Sequence, residues 1–251
     1  MAVTSAGGDT ASAADEVVFR SAMTVELVKA NAADADVLFA ARVSTKGEAS
    51  RADVDSDASR SAGLIRYLMR DRHGSPFEHN SMTFFVEAPI FVFREFMRHR
   101  IASYNEESGR YRELRPVFYV PGPERMLRQE GKPGAYHFVD GTPEQHALVT
   151  RLTEDSCRAA YAAYQEMLAA GIAREVARIV LPVTTFSSMY VTMNARALMN
   201  FLSLRTKRED SAFPSFPQRE IEMVAEEMER RWAELMPLTH AAFDDNGRVA
   251  P

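Results

Sequence analysis

The sequence predicts an α/β protein folded as one domain, and three observations carry that prediction. Short β-branched or aromatic stretches alternate with segments of helical periodicity from about residue 17 to residue 245, which is the pattern of strands and helices sharing one layered core. Hydrophobic residues make up 46% of the 251 positions, enough to build a sizeable core. No internal repeat and no linker divides the chain into independent parts. Residues 1–16, rich in Ala, Ser, Thr and Gly, read as a disordered tail, and 246–251 as a C-terminal tail.

Taken in order, Thr24-Val25-Glu26-Leu27-Val28 alternates as a strand should, and Asn31 is expected to cap a helix running to about Val43, with Asp34 in its first turn. A polar loop over 51–59 leads to Leu64, Ile65, Leu68 and Met69, whose spacing predicts a helix ending near His73-Gly74. Ser75-Pro76-Phe77-Glu78-His79 reads as a helix start with serine as cap and proline at the first position, and such an end offers free N–H groups to an anion. Residues 82–87 alternate as a strand. Pro89 then opens an apolar segment, 90–97, that delivers Arg98 at its end.

Val117-Phe118-Tyr119-Val120 is a short strand, and 121–142, with its Gly and Pro residues, reads as a long excursion. Thr142-Pro143-Glu144-Gln145 is a capping box opening a helix that carries Leu148, Leu152, Tyr161, Tyr164 and Leu168 on one face as far as Gly171. A second short helix over 172–181 puts Arg174 and Arg178 on one face and stops at Pro182. Residues 184–193 form a strand. Asn194 caps the next helix, where Arg196, Asn200, Ser203 and Lys207 make a polar stripe. After an irregular 206–217, a final helix over 218–236 turns Ile221, Val224, Ala225, Met228, Trp232 and Leu235 to the core.

Bulk properties restrict function. A net charge of −5 argues against a general nucleic-acid binder, whose affinity comes from a basic face. No run of 18 apolar residues and no signal-peptide pattern occurs, so a cytoplasmic location is expected. The single cysteine, Cys157, rules out an internal disulfide and reads as a small core residue. No Gly-rich dinucleotide fingerprint or phosphate loop is present.

The chemistry concentrates in Arg98-His99-Arg100-Ile101-Ala102-Ser103-Tyr104-Asn105-Glu106-Glu107-Ser108-Gly109-Arg110-Tyr111. Arginine forks match phosphate oxygens in pairs, and Ser108-Gly109 lets backbone N–H groups come close to an anion. Two arginine-bearing regions, 98–115 and 174–205, could converge on a polyanion, with Glu95, Glu106 and Tyr104 or Tyr111 orienting a base or sugar. A rival reading has the same stretch grip single-stranded RNA, which suits interleaved aromatics and arginines but not Glu106-Glu107 or the acidic balance. A third makes His73, Glu78, His79 and His99 a metal site, against which stands their spacing.

The wording of this stretch, Arg-His-Arg followed after seven residues by serine and then Gly-Arg-Tyr, resembles the signature of the flavin-dependent thymidylate synthases. The resemblance extends through Ala40 to Ser44, Ser75 to His79, Ala88 to Val92, Arg178 to Pro182 and Asn194 to Leu202. It implies an α+β fold with a central, largely antiparallel sheet flanked by helices. It further implies conversion of dUMP to dTMP, with methylenetetrahydrofolate as one-carbon donor and FAD, reduced by NADPH, as hydride source. By match to the family, FAD falls to Ser75, Glu78, Arg98, His99, Arg100, Glu106, Asn194, Arg196 and Asn200. The match for dUMP falls on Glu95, Phe96, Met97, Arg98, Glu106, Glu107, Ser108, Gly109, Arg110, Arg178 and Arg205.

Family members are homotetramers with sites shared between subunits, and they use no cysteine nucleophile. Arg205 matches the residue credited with favouring ionised uracil, the electron-rich form of the ring. Two departures stand out: Glu95 replaces the glutamine of many members, and no histidine follows Arg205 within 206–217.

Overall fold

The structure, a computed structural model, describes residues 17–52, 58–132 and 135–251; the expected tail 1–16 and positions 53–57 of the expected polar loop lie outside them. In chain order the elements are β1 (Val18–Arg20), β2 (Thr24–Asn31), α1 (Asp34–Lys46), α2 (Ala58–Arg70), β3 (Ser81–Pro89), α3 (Ile90–Phe96), β4 (Ser103–Glu106), β5 (Val117–Tyr119), β6 (Arg128–Lys132), β7 (Ala135–Val139), α4 (Pro143–Ala169), α5 (Arg174–Ala177), β8 (Phe186–Met193), α6 (Ala195–Arg205), α7 (Arg219–Leu235) and α8 (Pro237–Asp245). Contacts group them into two compact units, each assembled from separate stretches of chain. No described helix is long and apolar enough to cross a membrane.

The first unit holds the chain through Ala22, Pro89–Phe91 and Ser108–Ser187. Its β1 runs parallel to β5, with Val18 opposite Val117. The core gathers Val17, Phe118, Cys157, Tyr161, Tyr164 and Ala177. The capping box of α4 forms as read: Gln145 N donates to Thr142 Oγ1 at 3.3 Å and Thr142 N to Gln145 Oε1 at 2.9 Å. One expectation fails in the same helix, because Leu148 and Leu152 are 47% and 50% exposed while Tyr161 and Tyr164 are buried. Periodicity fixes which residues share a face, but not how far along the helix a partner covers it.

Two other readings change in this unit. The excursion after Val120 contains the antiparallel pair β6–β7, whose Arg128, Gln129 and Glu130 are all exposed and so lack the alternation that announces a strand. The helix expected over 172–181 is one turn, α5, followed by a 3-10 turn at Arg178–Val180. Leu181 is already extended, as a residue before proline must be.

The second unit holds Met23–Ala88, Val92–Glu107 and Ser188–Pro251. Its sheet has the order β2-β3-β8-β4, with β2 antiparallel to β3 and β4 antiparallel to β8. Helix α7 packs on β2 and α6, and α8 packs on α2. The α7 core face is as read at Ile221, Val224, Ala225, Met228 and Trp232, all at 0% exposure, while Leu235 at the helix end is only half-buried. Helix α1 starts two residues later than expected, capped at Ala33, because Asn31 still pairs with Ser81 in the ladder.

Asp34 lies in the first turn of α1, as expected, and also serves a second helix. Its carboxylate accepts from Leu238 N, Thr239 N and Thr239 Oγ1 at 2.9, 2.8 and 2.6 Å, capping the start of α8. That helix was not foreseen, although Pro237 at its first position is the usual start signal. Residues 246–251, read as a tail, fold back instead, with Arg248 4% and Ala250 6% exposed.

Candidate active site

Helix α3 ends at Phe96, whose ring stacks on Phe201 of α6 at 4.9 Å and 15° and is fully buried. Any contact Phe96 makes with a substrate is therefore through its backbone. The chain then turns tightly, with Arg98 N donating to Glu95 O at 3.3 Å and His99 N to Phe96 O at 2.9 Å. The Tyr104 hydroxyl holds this turn from β4, 2.7 Å from His99 O and 2.9 Å from Phe96 O. Burial pushes the Tyr104 phenol up to about 12, so it stays a donor. Pairing of Tyr104 with Val191 of β8 fixes where the tyrosine stands.

The turn presents His99 to Arg205, the last residue of α6. Arg205 Nε donates to His99 Nε2 at 3.0 Å, Nη1 forms an ion pair with the Glu95 carboxylate, and Nη2 reaches Glu95 O at 3.4 Å. Because His99 Nε2 accepts this bond, the ring proton of the neutral imidazole belongs on Nδ1. Burial, aided by the positive Arg205, holds His99 down at about 4, so the ring is neutral at physiological pH. Its edge meets Phe201 at 4.9 Å. A guanidinium has five N–H donors; three are engaged here, which leaves two for a ligand.

A second cluster lies around the Ser75–Glu78 turn. This is a 3-10 turn without a side-chain cap, preceded by Gly74, and not the helix start expected from Ser75-Pro76. Its N–H groups therefore do not make the anion-binding helix end that the sequence suggested. What the turn presents is Glu78, whose Oε1 accepts from Arg196 Nη1 at 2.6 Å. Asn80 locks the turn to α6 by donating to Phe77 O at 3.1 Å and accepting from Ala195 N at 2.8 Å. The sequence reading passed over Asn80. An asparagine between a motif and a strand is a weak signal, and only its burial reveals its work.

The remaining expected residues divide by accessibility and by unit. Asn194 caps α6, accepting from Ala197 N at 2.9 Å, and Asn200 donates to Arg196 O at 3.1 Å. Ser75, Arg98, Arg100, Glu106 and Asn200 are exposed, Met97 is 43% exposed, and Glu107 N ties its strand end to Ser188 O at 2.8 Å. In the first unit, Tyr111 N donates to Ser108 O at 3.0 Å, closing a turn around Gly109. A Cβ on Gly109 would come 3.2 Å from Arg178 Cδ, so glycine lets Arg178 lie against the backbone. Arg110 pairs with Glu175 at 2.9 Å across an exposed surface.

The metal-site reading finds no support in geometry. Among the described residues only Glu229, His240 and Asp244 gather closely enough to share an ion, and Arg248 already bridges Glu229 and Asp244.

Residues 26–238 match the family described as thymidylate synthase complementing protein, Thy1. The chain belongs to that family. It is 72% identical over 234 residues to the flavin-dependent thymidylate synthase of Streptomyces avermitilis, covering 93% of this chain and 95% of the relative. It is 61% identical over 234 residues to that of Tropheryma whipplei strain TW08/27, covering 93% and 97%. Among solved structures it is similar to the UMP/dUMP methylase PolB from Streptomyces cacaoi bound with 5-Br dUMP, with a TM-score of 0.90, 59% identity, and coverage of 94% of this chain and all of that one. The shared fold is the mixed α/β one of this family, an antiparallel sheet flanked by helices. Among the sequence-expected site residues, the second unit joins Arg205 with Glu95 and His99, and Arg196 with Glu78.

Proposed function

We propose that the protein is a flavin-dependent thymidylate synthase, which methylates dUMP to dTMP with methylenetetrahydrofolate as carbon donor and FAD reduced by NADPH. The observation that carries this reading is the Glu95–Arg205–His99 cluster. The Arg205 side chain is 16% exposed, so its field is poorly screened, and its two spare donors can favour a uracil imide that has lost its proton. His99 and Glu95 fix the guanidinium plane beforehand, so little reorganisation is left for the reacting complex. Glu95 also opposes part of the positive field, which makes it a regulator of how strongly the pyrimidine is ionised.

The residues fit a bound flavin cofactor. Gly74 leaves a flat cradle against Arg196, since a Cβ there would stand 2.5 Å from the guanidinium carbon, and exposed Arg98 and Arg100 offer charge to a diphosphate. FAD would be held by Ser75, Glu78, Arg98, His99, Arg100, Glu106, Asn194, Arg196 and Asn200, and when reduced it supplies hydride. The nucleotide falls to Glu95, Met97, the Phe96 backbone, Arg98, Glu106 to Arg110, Arg178 and Arg205. No thiol is needed. Cys157 is 1% exposed, burial pushes its thiol up, and it lies 3.4 Å from Thr184 Oγ1 in the core of the first unit.

The enzyme is a cytoplasmic homotetramer, its domain spanning 17–245, with sites shared between chains. Large exposed apolar side chains support assembly, among them Ile101, Tyr111 and Ile179 at 74%, 79% and 74%. Mixing Ser75→Ala with Arg178→Ala should restore activity if the two residues serve one site from different subunits. The decisive test is purification with added FAD: a yellow protein that forms dTMP only when dUMP, methylenetetrahydrofolate and NADPH are all present. Colourless protein that takes up no FAD sinks the reading.

A further inference from the structure

Helix α8 closes with a chain reversal: Gly247 N donates to Asp244 O at 3.0 Å and Arg248 N to Phe243 O at 2.9 Å. Gly247 and Arg248 both have left-handed backbone, φ +65° and +58°. A Cβ on Gly247 would meet Ala212 Cβ at 2.8 Å, so the reversal is pinned where only glycine fits. From here the chain runs along α6 and is fastened to it at successive points. Arg248 Nη2 donates to Thr206 Oγ1 at 3.0 Å, Ser203 Oγ donates to Arg248 O at 2.6 Å, and Arg196 Nε donates to Pro251 O at 2.6 Å.

Arg196, Ser203 and Thr206 are the α6 residues this segment touches; Arg196 and Ser203 belong to the polar stripe visible in the sequence, whose other members, Asn200 and Lys207, stay exposed. Arg196 is thereby held from three directions: Glu78 on Nη1, Pro251 O on Nε, and the Gly74 backbone against its flat face. The Arg196–Glu78 pair alone, with side chains 40% and 43% exposed, would hold poorly in water, since exposed pairs repay little of the rotamer freedom they remove.

We propose that residues 246–251 are a positioning strap that orients the Arg196 guanidinium for the flavin, with Arg248 as its anchor and Pro251 O as its working contact. The inference rests on the assignment of Arg196 to the cofactor site. The strap residues touch no reacting group; they act through Arg196.

The test is FAD affinity, read by flavin fluorescence with the full chain, a variant lacking 249–251, Arg196→Ala, and the two changes combined. The deletion leaves Arg248 and its ion pairs in place. It should weaken FAD binding roughly tenfold, the usual value of one hydrogen bond to a charged group, and should add no further loss in the Arg196→Ala background. The KM for dUMP at saturating FAD should be unchanged. A deletion without effect on FAD beside an Arg196→Ala that weakens it overturns the strap and leaves the cofactor assignment standing. So does an equal loss in both backgrounds, which would mark a merely structural role. If Arg196→Ala itself leaves FAD affinity intact, the cofactor assignment fails and the strap's role falls with it.

Discussion

Two arginine–carboxylate–histidine clusters in the same unit use identical side-chain chemistry to opposite ends. At the end of α6, Arg205 meets Glu95 and His99 with spare donors and its imidazole as acceptor. At the end of α8, Arg248 is 4% exposed, joins Glu229 at 2.7 Å and Asp244, and sits over the Phe243 ring at 4.9 Å. There His240 Nε2 lies 3.0 Å from Glu229 Oε1, where it must be the donor, because a carboxylate held ionised only accepts. The difference lies in what each arginine holds. Arg205 ties the end of α6 to the turn after α3 and keeps two N–H donors for a ligand, whereas Arg248 is buried by the chain reversal it anchors, in a cluster that lines a cavity of about 340 Å³.

Breaking the Arg248 cluster should have the largest effect. Arg248→Met takes from buried Glu229 one of its three partners, beside His240 and Arg208, and a loss of about 3–5 kcal/mol in denaturant unfolding is expected. Unchanged stability would mean that the strap is held by its backbone contacts alone. The Arg205 cluster should instead fail in catalysis. Arg205→Ala should slow reoxidation of the pre-reduced flavin by saturating dUMP and methylenetetrahydrofolate, followed without oxygen, by about 10²–10³ (roughly 3–4 kcal/mol) with little change in melting temperature. Lysine at 205 should rescue only part, since a point charge cannot hold both His99 and Glu95 in one plane.

Acid titration sharpens the contrast. Burial would raise the Glu229 carboxyl, but hydrogen bonds from His240 and Arg248 and the charges of Arg248 and Arg208 outweigh it and hold it down at about 2. Its folded value lies below its unfolded one, so its stabilisation is complete above about pH 4.5 and is lost as pH falls towards 2. The swing is about 3 kcal/mol, measurable as the difference between wild type and Glu229→Gln in urea unfolding across that range. His99 is also depressed, to about 4, but as a base: its neutral form is favoured by folding, and this contribution fades as pH drops from about 6.5 to about 4. An imidazole NMR signal for His99 that titrated near neutrality would remove it as the acceptor of the Arg205 bond.

The smallest effect is expected away from both clusters. Cys157→Ala should keep activity and cost about 1–2 kcal/mol of stability. Loss of turnover in a folded variant would bring back a thiol nucleophile.

Much of this was legible in the chain itself. Local chemistry determined the capping box at Thr142, the Asn194 cap, the alternation of β3 and the apolar face of α7, because each depends on neighbours within a turn or a pleat. The Arg-His-Arg wording identified the family, and Cys157 was legible as core. Tertiary structure alone decided what depends on distant partners. Asp34 serves a helix some two hundred residues away, Asn80 joins a turn to α6, and two members of the polar stripe of α6, Arg196 and Ser203, are bound by residues 248–251. It also decided that the Ser75 turn is 3-10, and that Arg205 is tied to Glu95 and His99. Sequence periodicity reports which side chains share a face, but the choice between water, ligand and chain as the partner of that face is made only when separate segments fold against one another.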